Sequence, residues 1–126
     1  MKVGKSMNNK ILVVDDQPGI CLLLQDVLTS KGYEVTIAQT GKEAIDLLED
    51  HSFDLLIIDY QLPVLTGKEV IQQLEQKNNK TPVIVMSGLI ENVNLEHEHT
   101  SFDLEMIAKP FDIEFLCDLV KERTAV

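Results

Sequence analysis

Short apolar runs recur along the chain, and segments with helical spacing separate them. The runs cover residues 11–14, 35–38, 55–58, 83–86 and 106–108. The first run, in "KILVVDDQPG", is apolar at consecutive positions, which is typical of a strand covered on both faces. Strands that alternate with helices predict one α/β domain, with a parallel sheet, right-handed crossovers and helices on both faces.

Two of the predicted helices begin at capping boxes, and one predicted helix is weak. In "TGKEAIDLL" and "TGKEVIQQL", Thr40 and Thr66 each precede a glutamate by three residues, and an apolar stripe follows. Residues 89–105, in contrast, combine asparagines and clustered charge without a sustained apolar stripe. We therefore expect a short or frayed helix there, with the fastest amide exchange of the domain.

Composition and charge narrow the class of protein. The chain has 126 residues, 44% of them hydrophobic, which is enough for a single buried core. We expect a loose tail over residues 1–9, followed by one domain over residues 10–124. The formal net charge of −10, without a Lys/Arg cluster, argues against nucleic-acid binding and favours protein partners and a cation.

The sequence also argues against a membrane protein. The apolar runs are far shorter than the roughly 20 residues of a membrane span, and the start "MKVGKSMNNK" lacks the apolar core of a signal peptide. Cys21 and Cys117 lie in apolar helical patterns without a zinc-binding spacing, so we interpret both as reduced core residues. These features favour a cytoplasmic location.

Polar side chains that can carry chemistry follow the predicted strands at their carboxyl ends. Asp15 and Asp16 follow the first strand, Asp59 the third, Ser87 the fourth and Lys109 the fifth. The carboxyl ends of parallel strands share one edge, where open α/β sheets bind ligands. Three carboxylates that converge there repel one another, and a hard cation such as Mg²⁺ would relieve this repulsion.

A carboxylate beside a divalent cation, a lysine and a hydroxyl is suited to phosphoryl transfer onto aspartate. Asp59 is the candidate nucleophile because it stands alone at its strand end. The adjacent pair has the geometry of a metal holder, with Asp16 as a direct ligand and Asp15 acting directly or through water. Adjacent aspartates at a helix start are often only N-caps, but that alternative leaves the other three residues unexplained.

This ordered set of signals resembles the receiver domains of response regulators in two-component systems. The likeness begins at Lys10 and rests on the acidic pair, "LLIIDYQLPVLTG", the "SG" dipeptide that begins at Ser87, and "AKPF". It implies a doubly wound, flavodoxin-like sheet of five parallel strands in the order 2-1-3-4-5.

The resemblance also implies roles for individual residues. Asp59 would be the phosphoacceptor, Ser87 and Lys109 would contact phosphoryl oxygens, and the Lys109–Pro110 bond would be cis. Mg²⁺ (or Mn²⁺) would be bound by side-chain and backbone oxygens of four residues: Asp15, Asp16, Asp59 and, through its carbonyl, Gln61.

Within this family, "VVDDQPGI" and "AKPFDI" resemble most the stand-alone regulators of sporulation phosphorelays. That likeness implies that a histidine-bearing helical bundle docks on the start of the first helix, at Gln17, Pro18, Ile20 and Leu23. Helical spacing instead places Ile20 on the buried face, Leu23 at its edge and Leu22 among polar residues. At Ile20 we follow the resemblance, because first-turn residues near a loop are often only partly covered.

Three positions bear on signalling and phosphoryl lifetime. Most receivers carry an aromatic switch residue three positions before the lysine, where this chain has Met106. We therefore expect no large switch movement of the usual form. Leu89 and Gln61 stand where receivers line the approach of the hydrolytic water, and we expect the bulky Leu89 to obstruct it.

The expected function is that of a stand-alone receiver that accepts a phosphoryl group from a histidine kinase and passes it to a histidine phosphotransferase. Its enzymatic activity would be limited to self-phosphorylation and transfer, and we expect a monomer. The alternatives are the receiver of a longer transcriptional regulator and an interaction module that works without phosphate. A haloacid-dehalogenase-type phosphatase would need an aspartate two residues after Asp59, where this chain has Gln61.

Overall fold

The computed structural model describes residues 9–88 and 104–124. In chain order, the elements are β1 (Lys10–Val14), α1 (Pro18–Ser30), β2 (Glu34–Ala38), α2 (Gly41–Asp50), β3 (Leu55–Asp59), α3 (Gly67–Gln76), β4 (Val83–Ser87), β5 (Leu104–Ala108) and α4 (Ile113–Thr124). Strands and helices alternate from β1 to β4, as the apolar pattern predicts.

All the strands pair in parallel in a five-stranded sheet of order β2-β1-β3-β4-β5. The predicted fold class and strand order are therefore confirmed. The register pairs Val14 with Ile58, Asp59 with Met86 and Ser87 with Ala108, so the strands end almost level at one edge of the sheet. We call this edge, with the loops that leave it, the carboxyl edge.

The sheet separates two apolar clusters, because successive strand residues point to opposite faces. Leu12 and Ile58 pack on the side of α2 and α3. Val13 and Ile57 pack on the side of α1 and α4. Every residue of β3 is buried, which explains why its sequence is apolar without alternation. The predicted placement of helices on both faces is correct.

The helix starts follow the predicted capping chemistry. At α3, Thr66 accepts the Glu69 N–H and the Glu69 carboxylate accepts the Thr66 N–H, which completes a capping box. At α2, Thr40 accepts the Glu43 N–H, but the Glu43 carboxylate turns to the N–H of Gln39 at 3.2 Å. Both helices are therefore fixed at their first turns, close to the carboxyl edge.

The ends of the described chain meet at the opposite edge of the sheet. The Asn9 side-chain amide donates to the Thr124 carbonyl oxygen at 3.4 Å. The hydroxyl groups of Tyr33 and Thr124 lie 3.1 Å apart. The last turn of α4 is thus tied to the segments that enter β1 and β2.

Some expectations about the fold need correction, and others concern residues that the structure does not describe. β5 begins at Leu104, two residues before the predicted start, since Glu105 interrupts the apolar run. Cys21 is buried as predicted, but Cys117 is only half-buried because it faces a groove beside α1. Of the predicted weak helix over 89–105, residues 89–103, with Leu89, lie outside the described residues, whereas Leu104 and Glu105 belong to β5. Most of the predicted tail, residues 1–8, also lies outside the described residues. Among the helices described here, none is long and apolar enough to cross a membrane.

Candidate functional site

The carboxyl edge brings the predicted site residues together. Asp15 directly follows β1, Asp59 and Ser87 are the last residues of β3 and β4, and Lys109 directly follows β5. Asp15 and Ser87 are fully buried and Asp59 is 6% exposed, whereas Asp16 is exposed. One carboxylate oxygen from each of the three aspartates lies within 4.8 Å of the others. The predicted convergence of carboxylates is therefore present.

Lys109 links the two buried carboxylates. Its ammonium group donates to Asp15 Oδ2 at 2.8 Å and to Asp59 Oδ2 at 3.2 Å. It also reaches the side-chain oxygen of Gln17 at 3.4 Å. The backbone N–H of Lys109 donates to the Ser87 carbonyl at 2.9 Å, and the Lys109–Pro110 bond is cis, as the resemblance implied. One positive charge thus faces two buried negative charges and a third beside them.

The carboxylates are oriented by their own loops. Asp15 Oδ1 accepts the N–H of Gln17 at 2.8 Å, and Asp59 Oδ1 accepts the N–H of Gln61 at 2.9 Å. Such bonds to the residue two positions on are typical of aspartate at the start of a turn. Each buried aspartate therefore uses one oxygen to fix its loop and offers the other to Lys109.

Burial and charge pairing act in opposite directions on the pKa values of Asp15 and Lys109. Burial raises the pKa of Asp15 above its ordinary value. The hydrogen bonds from Lys109 and Gln17 oppose this increase without cancelling it. Burial would lower the pKa of Lys109, but its hydrogen bond to Asp15 and the charges of Asp15 and Asp59 outweigh burial, so this pKa is raised. Lys109 therefore stays charged, whereas burial disfavours the ionised form of Asp15.

This donor set fits a hard divalent cation. Carboxylate oxygens are preferred ligands of Mg²⁺ and Mn²⁺. The exposed Asp16 opens the cluster to solvent on one side, which suits an ion that keeps some of its water. Gln61 is exposed and its N–H is used by Asp59. Its carbonyl as a metal ligand stays a prediction.

The predicted docking residues lie at the surface to different degrees. Gln17 and Pro18 are exposed, Leu23 is 43% exposed, and Ile20 is partly covered by the cluster between α1 and α4. Helical spacing predicts a buried Ile20 and the resemblance an accessible one, and the structure shows it partly buried, as expected for the first turn of α1. Whether a partner uses this surface stays a prediction.

Sequence reasoning missed three features of the site. It gave Gln17 only a docking role, whereas the Gln17 amide oxygen also accepts from Lys109. It treated Cys21 as core alone, whereas Cys21 Sγ donates to the Asp15 carbonyl at 3.2 Å. It also passed over Val64, which has a φ of 65° and is fully exposed. No turn signature in "QLPVLTG" indicates this conformation of Val64.

The fold and these side chains define a doubly wound α/β domain with an acidic, lysine-bridged site. Residues 11–121 match the response regulator receiver domain family, and the chain belongs to that family. The sporulation initiation phosphotransferase F of Bacillus subtilis (strain 168) is 34% identical over 116 residues, which are 92% of this chain and 94% of that protein. Transcriptional regulators also match, and this chain spans 34% of the length of two of them.

Solved structures of receivers have the same fold. The receiver domain of the Francisella response regulator 1452 gives a TM-score of 0.84 at 33% identity, over 93% of this chain and 97% of that chain. The response regulator protein TrrA from Thermotoga maritima, solved in complex with Mg(2+)-BeF, gives 0.80 at 30% identity, over 91% of this chain and 98% of that one.

Proposed function

We propose that the chain accepts a phosphoryl group on Asp59 from a histidine kinase and passes it to a histidine phosphotransferase in a phosphorelay. The observation that supports this most is the arrangement around Asp59. Its nearly buried carboxylate is held by the Gln61 N–H and bonded to Lys109, and two further carboxylates lie within 4.8 Å. A carboxylate in this arrangement is suited to act as a nucleophile, because Lys109 and a bound cation can neutralise the negative charge of the phosphoryl group.

In the proposed reaction the Asp59 carboxylate attacks the phosphorus of a phosphohistidine. The phosphorus–nitrogen bond breaks, an acyl phosphate forms on Asp59, and the histidine leaves with the nitrogen electron pair. Lys109 balances negative charge on the phosphoryl oxygens, and the Ser87 hydroxyl is the second proposed contact. Attack by the histidine of the phosphotransferase on the same phosphorus regenerates the carboxylate.

The proposed cation site consists of oxygen ligands from four residues: Asp15, Asp16, Asp59 and, through its carbonyl, Gln61. When bound, Mg²⁺ or Mn²⁺ would neutralise charge on the carboxylates and on the incoming phosphoryl oxygens. The complex of TrrA with Mg(2+)-BeF supports this assignment by analogy.

The role as a separate phosphorelay protein rests on the likeness to the sporulation phosphotransferase, which extends over nearly all of both chains. We propose with it a domain over 10–124 after a tail over 1–9, a cytoplasmic monomer, and no membrane or nucleic-acid partner. The competing role, as the receiver of a longer transcriptional regulator, is favoured by the regulators that match. The full reading frame of the gene distinguishes these two roles.

The first prediction is that Asp59 alone takes up phosphate, and only with a divalent ion, because the clustered carboxylates otherwise repel a phosphoryl donor. Wild type incubated with acetyl phosphate and Mg²⁺ should gain the mass of one phosphoryl group, and Asp59→Ala should gain none. Asp46→Ala, which removes an exposed carboxylate of α2, is the matched control and should label like wild type. Labelling of Asp59→Ala, or equal labelling in EDTA, would contradict the assignment.

A further inference from the structure

Val64 lies in the loop between β3 and α3, in an unfavourable backbone conformation. Its φ is 65°, in the left-handed region, where a β-branched side chain is strongly disfavoured. Among the described residues, the other non-glycine with positive φ is Asn78 at 59°. Asn78 follows the end of α3, where an asparagine in this conformation commonly terminates a helix. Val64 has no such local explanation.

The loop around Val64 is fixed on both sides, which explains why the strain persists. Leu62 is buried at 2% exposure and Leu65 packs against the cluster beneath α2 and α3. The Gly67 N–H donates to the Tyr60 carbonyl at 3.1 Å. A Cβ added to Gly41 would overlap the Leu65 carbonyl oxygen, so α2 presses directly on the loop. The neighbours of Val64 therefore dictate its conformation.

This strained position carries an apolar side chain that no part of the described chain covers. The relative exposure of Val64 is 101%. Single exposed apolar residues are common and by themselves indicate nothing. Here, however, glycine or asparagine would adopt the left-handed backbone conformation at a lower cost and would expose less apolar surface to water. Packing within the described chain therefore does not explain a valine at this position, whereas contact with another protein would.

Chain geometry limits how far Val64 can lie from the proposed phosphoacceptor. A Cβ added to Gly67 would lie 2.7 Å from Tyr60 Cα and would overlap the Asp59 carbonyl, so Gly67 packs directly on the end of β3. Val64 lies three positions before Gly67, which limits their Cα–Cα distance to about 11 Å. A protein interface of standard size buries about 800 Å² per partner, equivalent to a disc of roughly 16 Å radius.

A protein that exchanges phosphate with Asp59 must cover the loops around it, because Asp59 is only 6% exposed and ends β3 at the carboxyl edge. We propose that Val64 is a fixed apolar anchor for the histidine-bearing helical domain that exchanges phosphate with Asp59. This inference rests on the proposed function. The strained loop holds the side chain in place before binding, so little chain entropy is lost when the partner docks.

The experiment compares two phosphodonors on three variants. Acetyl phosphate needs no protein contact, whereas radiolabelled phosphohistidine domains, taken from a panel of bacterial histidine kinases and phosphotransferases, do. Val64→Gly removes the side chain, Val64→Leu retains an apolar one, and Asn78→Gly is the matched control at the other left-handed position. We expect Val64→Gly to unfold at higher urea concentration than wild type, because the strain is relieved.

The expected kinetic result separates the donors. Val64→Gly should label with acetyl phosphate within two-fold of wild type but receive phosphate from the phosphohistidine domain about ten-fold more slowly. Val64→Leu should stay within about three-fold of wild type with both donors, and Asn78→Gly should match wild type.

Other outcomes would overturn the inference. Unchanged transfer to Val64→Gly would show that no partner uses the side chain, and equal slowing with both donors would show an effect on the site itself. Wild type that labels with acetyl phosphate but with no phosphohistidine domain would exclude a histidine-bearing partner. Wild type that labels with neither donor would instead refute the proposed function.

Discussion

At the scale of single residues, the site is built at the expense of stability. Asp15 is fully buried beside Asp59, and the single ammonium group of Lys109 serves both. Because the pKa of Asp15 is raised in the folded chain, the fold disfavours its ionised form even with Lys109 in place. A neutral side chain of the same shape at this position should therefore increase the free energy of unfolding of the metal-free protein.

We predict that Asp15→Asn in EDTA unfolds at higher urea concentration than wild type at pH 7. The sign of the pH dependence follows from the raised pKa. Below the unfolded-state value of about 3.8, Asp15 is protonated in both states and costs nothing. As pH rises through the folded-state pKa, its ionisation removes stability from wild type only.

The advantage of Asp15→Asn should accordingly be greatest near neutral pH and shrink on acidification towards pH 4. Urea titrations at several pH values measure this difference. Asp46→Asn, at an exposed position, is the control and should stay within about 0.5 kcal/mol of wild type. A variant of Asp15 that is less stable than wild type at pH 7 would show that the ion pair with Lys109 outweighs burial.

The residue scale is also where sequence reasoning stops short. The apolar run before Asp15 and Asp16 and the run that ends at Asp59 sufficed to predict that these carboxylates converge. The contact between Gln17 and Lys109 was beyond prediction, because it depends on how two loops distant in sequence fold over the same edge. The conformation of Val64 was likewise hidden, since it is imposed by packing on either side and not by a turn signature.

At the scale of elements, α1 has one buried apolar face and one exposed face that also carries leucines. Leu24 and Leu28 are buried against the sheet, whereas Leu22 and Leu23 are 61% and 43% exposed. The helix begins at Pro18, directly after the loop that carries the acidic pair. Its open face therefore continues the surface that surrounds the proposed phosphoacceptor, and an apolar helix face of this kind suits a helical partner.

We predict that Leu23→Ala slows transfer from a phosphohistidine domain several-fold while it lowers the free energy of unfolding by about 1 kcal/mol or less. Leu24→Ala, one position further on and fully buried, should cost about 2–5 kcal/mol. Transfer kinetics and urea titration of both variants provide the measurement. A loss of stability for Leu23→Ala as large as for Leu24→Ala would assign Leu23 to the core and exclude the proposed surface.

Element boundaries show where the apolar pattern is informative. The central strands β1, β3 and β4 are buried almost throughout, and their predicted positions differ from the observed ones by one residue at most. The edge strand β5 is only partly buried at Leu104 and Glu105. Leu104 and Glu105 belong to the strand because they pair with β4. They do not extend the apolar run, so the apolar pattern predicted only the second half of β5.

At the scale of the whole molecule, the charge distribution predicts that a bound cation would stabilise the fold. The chain carries a formal net charge of −10, and three carboxylates are gathered at one edge. A cation that binds the folded chain and not the unfolded one stabilises it by mass action, by about 2.7 kcal/mol at one hundred times the dissociation constant. General screening of surface charge by salt also stabilises, so the two effects need to be separated.

We predict that Mg²⁺ raises the melting temperature of wild type well beyond NaCl at equal ionic strength. Asp16→Asn should lose most of this additional shift, yet melt close to wild type in EDTA because Asp16 is exposed. Asp46→Asn should retain the full shift. Thermal melts over a series of Mg²⁺ concentrations provide the test, and equal shifts with Mg²⁺ and NaCl would indicate screening alone.

The bond between Asn9 and Thr124 has a further consequence for the architecture. It brings the two ends of the described chain together, at the edge of the sheet away from the carboxyl edge. A sequence inserted between them would enter and leave at neighbouring points and would stay clear of the proposed phosphoacceptor. The domain is thus suited to insertion, fusion or cyclic rearrangement without loss of its chemistry.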